Sequence, residues 1–179
     1  MRFRGLLLIL SSLVASPVFA GCDGLPWQFG MSPQQVAGIT ECGPYKSFSN
    51  GDLETYNGVF DGKSENFQFF FQEGKLRRIG IYLYEGHDPA AGAKVWLELY
   101  PTLAKLFGDV ETPENVAPTS EQTRSAFTAK ALEVVQGPGK IQMAPVSQPK
   151  DAFVFSSFMR NDVGSERLYN VVLYFDRRP

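Results

Sequence analysis

Four carboxylates near two predicted strands are the side chains best suited to acid–base chemistry. They are Asp52, Glu54, Asp61 and Glu65. Two carboxyl groups about 5–10 Å apart can hydrolyse a glycosidic bond, one as the acid and the other as the base or nucleophile. Acidic residues at strand ends more often solvate turns, so these four support only a minor alternative, a carboxylate-based hydrolase. We therefore predict no catalytic residue, and we expect that the protein is not an enzyme.

His87 is the only histidine, and it lies between a predicted strand and a predicted helix start, in Glu85-Gly86-His87-Asp88-Pro89. A catalytic or metal-ligating histidine needs partner side chains, and no cysteine remains for it if Cys22 and Cys42 form a disulfide. It is therefore predicted to be a loop residue. Gly137-Pro138-Gly139-Lys140 lacks the spacing of a phosphate-binding loop and predicts a turn. No metal and no cofactor is predicted.

The N-terminus has the three parts of a secretory signal peptide. Arg2 and Arg4 precede an apolar run of about ten residues, and Val18-Phe19-Ala20 fits the peptidase site. A run of this length is too short to span a bilayer as a helix. Residues 1–20 are predicted to be removed after Ala20, giving a secreted or periplasmic protein without a transmembrane segment.

The two cysteines, Cys22 and Cys42, both lie at the start of the predicted mature chain. In an oxidising compartment such a pair favours a disulfide, which would close a loop of about twenty residues and stabilise the fold by roughly 3 kcal/mol. The alternative is that Phe19-Ala20-Gly21-Cys22 directs lipidation of Cys22, which would leave Cys42 unpaired. Phe19 is unusual in such a motif, so the disulfide is favoured and a lipid anchor is the alternative.

Length and charge limit the number of domains and the class of partner. Removal of residues 1–20 leaves 15 basic and 19 acidic residues, a net charge of −4. A nucleic-acid partner is not expected, because such proteins usually present a basic face. The only loop-like break of any length is Asp109–Thr119, with Pro113 and Pro118. Residues 21–179 are therefore predicted to form one domain.

An aromatic-rich stretch from Leu53 to Tyr84 predicts three antiparallel strands in a meander. Its apolar residues alternate with a period of two, and Glu73-Gly74 separates the last two strands as a tight hairpin turn. One face is predicted to be core: Phe67, Phe69, Phe71, Ile79, Ile81 and Leu83. The other face is mixed: Tyr56, Gln68, Phe70, Gln72, Arg78, Tyr82 and Tyr84. The mixed face is either covered by a helix or loop or forms a binding surface.

Capping residues predict three helices, and the periodicity of apolar residues predicts further strands. Ser32-Pro33 begins a short helix to Ile39, and Asp88-Pro89 begins a longer one that ends at Gly108 and is kinked or broken at Pro101. A third helix begins near Ser120 and stops at Gly137. Three C-terminal strands are predicted, at Ile141–Val146, Phe153–Arg160 and Arg167–Asp176. The fold class is α+β, an antiparallel sheet with two or three helices packed on it.

Gln28-Phe29-Gly30-Met31-Ser32-Pro33-Gln34-Gln35-Val36, followed by Cys42, resembles the helix-opening motif of β-lactamase-inhibitory-protein-like domains. The small SmpA/OmlA-type lipoproteins of outer-membrane assembly have a related pattern. The resemblance covers about fifteen residues. It implies an α+β module that acts by binding another protein.

Three functional hypotheses result. The leading one is a secreted or periplasmic module that binds another envelope or secreted protein, as an inhibitor or immunity-type protein would. Its expected binding residues are Tyr56, Phe70, Arg78, Tyr82 and Tyr84, because tyrosine and arginine are common interface anchors. The second is an envelope-assembly or structural accessory, with a lipid at Cys22 as one version. The third is the carboxylate-based hydrolase.

Overall fold

A computed structural model describes residue 22, residues 24–136 and residues 139–178. The predicted signal peptide, residues 1–20, lies outside the described residues, as does Gly137, the predicted end of the third helix. The described part contains a dominant antiparallel sheet and three α-helices, consistent with the expected α+β class.

The sheet has eight strands in the order β1-β2-β3-β4-β8-β7-β6-β5, and every neighbouring pair is antiparallel. The strands are β1 (Lys46–Ser47), β2 (Leu53–Phe60), β3 (Lys63–Gln72), β4 (Lys75–Gly86), β5 (Val110–Glu111), β6 (Lys140–Pro145), β7 (Ala152–Val163) and β8 (Glu166–Arg177). The predicted meander is β2-β3-β4, and the three predicted C-terminal strands are β6, β7 and β8. The last strand pairs with the meander, so the two predicted groups form one sheet.

The meander is connected by two-residue turns. Asp61 and Gly62 join β2 to β3, and Glu73 and Gly74 join β3 to β4. All four residues have positive φ, between 47° and 76°, which is the backbone of a type I′ turn. These turns fix the register of all three strands, so the alternation in the sequence becomes two distinct faces.

The three helices begin at polar caps that the sequence contains. The helices are α1 (Pro33–Ala37), α2 (Pro89–Phe107) and α3 (Glu121–Leu132), with a 3₁₀ turn, Glu133–Gln136, after α3. Ser32, Asp88 and Ser120 are their N-caps, and each side chain accepts a hydrogen bond from the first turn of its helix. Helix α1 ends at Ala37, two residues earlier than predicted, and Gly38 is its C-cap.

Helix α2 is not broken at Pro101. The sequence predicts a kink or a break there, because proline removes one backbone hydrogen bond. The helix instead continues from Pro89 to Phe107 with Pro101 inside it. Its buried side chains lie on both sides of the proline and include Trp96 and Leu103. Packing against the sheet therefore outweighs the local preference of Pro101 to end the helix.

Cys22 and Cys42 form a disulfide, as the sequence favoured, and both are buried. A lipid on Cys22 would need the same sulfur atom. Close to this disulfide, the Trp27 ring packs against Phe67 and Phe69, with centroids 5.2 Å and 4.7 Å apart. The disulfide and the Trp27 ring together hold the segment around Trp27 on the face of the sheet that carries the core.

The hydrophobic core lies on one side of the sheet, which we call the covered face. Val36 of α1, Trp96 of α2 and Phe127 of α3 belong to the same buried cluster as the inward residues of the strands. Those inward residues include Phe67, Phe69, Ile79, Ile81, Val154, Phe158 and Leu173. All three helices of the described chain thus contribute their buried side chains to one face.

A β-bulge changes the alternation near the end of β4. Tyr82 is opposite Val172, but Tyr84 is opposite Val171, so one residue is inserted between them. Tyr84 therefore faces α2: its ring lies close to Gly92 of the helix, and its hydroxyl donates to the Asp88 carbonyl oxygen at 2.8 Å. Tyr84 lies on the covered face, which differs from the expectation that it shares a face with Tyr82.

Candidate functional site

The candidate site is the opposite side of the sheet, which we call the open face, because no helix in the described part of the chain packs on it. Its defining residues are Phe70, Arg78, Tyr82, Phe153, Phe155 and Tyr174. They come from four adjacent strands, β3, β4, β8 and β7. The long antiparallel register brings together residues that are distant in sequence.

Two rows of the register position these side chains. In the first row, Phe70 is opposite Arg78, Arg78 is opposite Asp176, and Asp176 is opposite Phe153. In the next row, Gly80 lies between Gln68 and Tyr174, and Tyr174 is opposite Phe155. Residues directly opposite one another have Cβ atoms about 5 Å apart, so neighbouring side chains in each row are in contact range.

The rings on β7 and β8 form a continuous series. Phe153 and Phe155 have centroids 5.6 Å apart, and Phe155 and Tyr174 have centroids 5.1 Å apart. All three rings are tilted to their neighbours, within the range in which aromatic pairs attract. Phe153 is 45% exposed although it is a large apolar residue. The series therefore presents apolar surface at the side of the face nearest β6.

Arg78 joins this series to the β3–β4 hairpin. Its guanidinium carbon lies 4.9 Å from the centroid of Tyr174, a cation–π arrangement. Its Nε and Nη2 atoms donate to the two carboxylate oxygens of Asp176 at 2.5 and 2.7 Å. This bidentate bond raises the pKa of Arg78 above its usual value. The guanidinium plane is therefore held in one orientation over the tyrosine ring.

Gly80 provides the space in which the rings of the open face approach each other. A Cβ atom at Gly80 would lie 3.2 Å from Tyr174 Cε1, and 3.4 Å from both Phe70 Cε2 and Val172 Cγ1. The tyrosine and phenylalanine rings thus lean toward each other above a residue without a side chain. The side chain of a larger residue at this position would contact Tyr174, Phe70 and Val172.

The two tyrosine hydroxyls on this face influence each other. Burial raises the pKa of the Tyr82 phenol, and the nearby Tyr174 raises it further. Burial also raises the pKa of Tyr174, although the positive charge of Arg78 opposes this rise. Both phenols consequently stay protonated, and able to donate hydrogen bonds, above the pH at which a free tyrosine ionises.

Three buried polar oxygens also lie on the open face. Asn66 Oδ1, Ser157 Oγ and Asn170 Oδ1 have no hydrogen-bond partner among the described residues. Asn66 and Ser157 belong to the row of Tyr82 and Val172, and Asn170 belongs to the next row. Buried polar atoms of this kind normally bond to a protein group or to an ordered water molecule.

The structure brings together three of the five expected binding residues. Phe70, Arg78 and Tyr82 share the open face, whereas Tyr84 lies on the covered face because of the bulge. Tyr56 lies in a second bulge, between the paired residues Thr55 and Gly58 of β2. It is 62% exposed at the outer edge of the sheet, two strands away from Tyr82. The structure does not add it to the aromatic series.

Sequence reasoning missed the half of this face that comes from the C-terminal strands. Tyr174, Phe155 and Phe153 are central to it but were not among the expected binding residues. A signal was present, because Tyr174 alternates with Leu173 and Phe175, and Phe153 and Phe155 alternate with Val154. What the sequence could not supply is the pairing of β4 with β8, which sets Arg78 beside Asp176, 98 positions away.

The four carboxylates of the hydrolase hypothesis do not share one site. Asp52 accepts a hydrogen bond from the Phe71 amide, and Glu54 is paired with Lys46 at 2.8 Å, so both have structural partners. Asp61 and Glu65 line a cavity of about 130 Å³ between the β2–β3 hairpin and α2. Burial raises the pKa of Glu65. This cavity is smaller than typical ligand pockets of about 300–1,000 Å³.

His87 is an exposed residue whose Nδ1 lies 2.9 Å from the Arg167 carbonyl oxygen. Over residue 22 and the ranges 24–136 and 139–178, no group of three or more histidine, cysteine, aspartate or glutamate side chains is arranged to hold a metal ion. Among the helices of the same residues, none is long and apolar enough to cross a membrane.

Comparison of the chain with protein-family models, with curated proteins and with solved structures found no match.

Proposed function

We propose that the protein is an extracytoplasmic binding module that contacts another envelope or secreted protein through its open face. The observation that supports this most directly is the Arg78–Tyr174–Phe155–Phe153 series on a face that no described helix covers. Aromatic residues and arginine contribute most of the energy of protein–protein interfaces, and they act best when a rigid scaffold holds them. Here the sheet register and the Asp176 carboxylate fix their positions.

The location in the envelope or outside the cell rests on two features. The Cys22–Cys42 disulfide is typical of oxidising compartments. The basic and apolar N-terminal residues have the pattern of a secretory signal peptide. The expected partner is therefore a protein of the same compartment. An inhibitor or immunity-type role needs no more than such a rigid binding face.

The test is capture of partners from envelope extract with the mature, disulfide-bonded protein, followed by measurement of the affinity for the purified partner. Tyr82→Ala removes a phenol from the centre of the open face and should weaken binding about 30-fold or more, the effect of an interface hot spot. Tyr56→Ala is the matched control, since it removes an exposed tyrosine at the sheet edge. It should change the affinity less than about threefold.

Other results point to other functions. Loss of binding with Tyr56→Ala but not with Tyr82→Ala would contradict the open face as the interface. Weak capture of many envelope proteins, with none stoichiometric, would favour the envelope-assembly accessory. Turnover of a glycoside without any partner, abolished by Glu65→Gln, would favour the hydrolase.

A further inference from the structure

A cleft at the end of strands β3, β4 and β8, next to the open face, combines aromatic walls with excess positive charge. It has a volume of about 330 Å³ and is lined by Phe70, Phe71, Gln72, Arg77, Arg78, Asp176 and Arg177. Three arginines and one aspartate give this lining a net charge of +2, whereas the whole chain has a net charge of −2. The cleft beside the aromatic series is thus positively charged in a protein that is negatively charged as a whole.

Arg78 has donors left after it has bound Asp176. A guanidinium group has five N–H donors, and Asp176 takes one from Nε and one from Nη2. Nη1 donates to no described residue, so the edge formed by Nη1 and Nη2 is still available. This edge has the fork geometry that binds a second carboxylate with two parallel hydrogen bonds. The Arg78 side chain is 42% exposed, so a partner group can reach it.

The other two arginines are not neutralised within the described chain. Asp176 is paired with Arg78, and neither Arg77 nor Arg177 forms an ion pair with a described residue. Arg177 also lines an adjoining cleft with Lys150, Asp151 and Arg178. Three basic residues against one acidic residue keep this cleft positively charged, so the basic surface continues beyond the first cleft. Charge complementarity at such a surface selects the partner and accelerates association more than it raises affinity.

We infer that this cleft receives an acidic side chain, aspartate or glutamate, of the partner protein. The carboxylate binds the free edge of Arg78, and the aliphatic or aromatic part of the partner contacts Phe70 and Phe71. The inference rests on the proposed function, because Phe70, Arg78 and Asp176 of the cleft belong to the open face. It adds that the partner surface is acidic and that an arginine held by Asp176 and Tyr174 recognises it.

The test uses the mature protein and two blocked peptides, Ac-Phe-Glu-Glu-Phe-NH₂ and its glutamine counterpart. NMR spectra of the arginine Nε–H groups follow the titration. The glutamate peptide should shift the Arg78 resonance and bind at least fivefold more tightly than the glutamine peptide. Arg78→Gln and Arg78→Lys should each weaken the glutamate peptide at least fivefold, since lysine keeps the charge but lacks the fork.

Two further variants test whether a loss of peptide binding comes from the cleft itself, rather than from misfolding or from the change in net charge. Arg177→Gln removes a lining charge that no described carboxylate pairs, so it weakens the glutamate peptide at least twofold without breaking an ion pair. Arg124→Gln removes the same charge from an exposed position on α3, and its affinity should stay within twofold of the parent. Circular dichroism at the titration temperature shows whether each variant is folded.

Three results would overturn the inference. They are equal affinity for the two peptides, equal effects of Arg78→Gln and Arg124→Gln, and full retention of affinity in Arg78→Lys. Stronger binding of inorganic phosphate than of the glutamate peptide would also overturn it, in favour of a phosphate-bearing ligand. A captured partner that needs Tyr82 but not Arg78 would contradict this inference alone. Discrimination between the peptides without any captured protein would support the cleft and contradict the proposed function.

Discussion

Both faces of the sheet have aromatic rings, but the two sets of rings differ in what they pack against. On the covered face, Phe67 and Phe69 are completely buried and pack against Trp27 beneath the N-terminal segment. On the open face, Tyr174 packs against an arginine and against Phe155, and it remains half-buried. The open face has the Arg78–Asp176 ion pair next to its rings.

This difference shows which interactions each face uses. The rings of the covered face contribute to stability by leaving water, at about 1.5–3 kcal/mol for each fully buried side chain. The rings of the open face pack against one another and against Arg78, which Asp176 orients, and part of their surface stays accessible. The same alternation in β3 and β4 therefore supplies both the core and a surface suited to a partner.

The largest expected contrast is between Phe67→Ala and Phe70→Ala, which remove the same ring from opposite faces of β3. Phe67 is fully buried, and its ring fills the space above Gly58, where a Cβ atom would lie only 2.1 Å away. Its truncation should lower the free energy of unfolding by about 3–5 kcal/mol. Phe70→Ala should cost about 1 kcal/mol or less. Urea unfolding followed by circular dichroism measures both.

A smaller contrast comes from the same glycine-to-alanine change on the two faces. A Cβ atom at Gly92 of α2 would lie 2.8 Å from Phe158 Cε2, and the fully buried Phe158 ring has no room to move. The cost of overpacking, about 1–3 kcal/mol, exceeds the gain of about 1 kcal/mol in helix propensity. Gly92→Ala should therefore lower the free energy of unfolding by about 1 kcal/mol.

Gly80→Ala is the matched change on the open face. Its new methyl group would meet half-buried rings at 3.2–3.4 Å, which can shift by a few tenths of an ångström. The measured free energy of unfolding should therefore change by less than about 0.5 kcal/mol, because the entropic gain from removing glycine offsets the contact. A larger loss for Gly80→Ala than for Gly92→Ala would contradict the distinction between a rigid and an adaptable face.

Local sequence signals were sufficient for much of the fold. The period of two in β3 and β4 predicted which of Phe67 and Phe70 is in the core, and Ser32, Asp88 and Ser120 marked the helix starts. These features depend on interactions within a few residues or on burial of one strand face. The same is true of the Glu73-Gly74 turn, whose backbone is set by the two residues themselves.

Features that depend on distant pairing could not be predicted. The bulge after Tyr82 moves Tyr84 to the covered face, and it arises from the pairing of β4 with β8 rather than from the β4 sequence. The same pairing creates the Arg78–Asp176 bond and half of the candidate site. Pro101 shows the converse case, in which tertiary packing outweighs a correct local preference.

The last prediction concerns how the stability of the protein depends on pH through a tyrosine of the open face. Tyr82 has a pKa raised by burial, with the nearby Tyr174 adding to the rise. Below pH of about 10 the phenol is protonated in both the folded and unfolded states, so its contribution to stability is fully present. As pH rises from about 10 toward the raised pKa, only the unfolded chain ionises, and stability is lost.

Tyr82→Phe should therefore lose less stability than the parent between pH 8 and pH 11. The difference should be below about 1 kcal/mol, because solvent screens a phenol that is only partly buried. Urea unfolding at the two pH values measures it. Phe155→Leu is the control, since it alters the same aromatic series without removing a titrating group, and its effect should be equal at both pH values. A parent-like loss in Tyr82→Phe would mean that the base sensitivity arises from groups other than Tyr82.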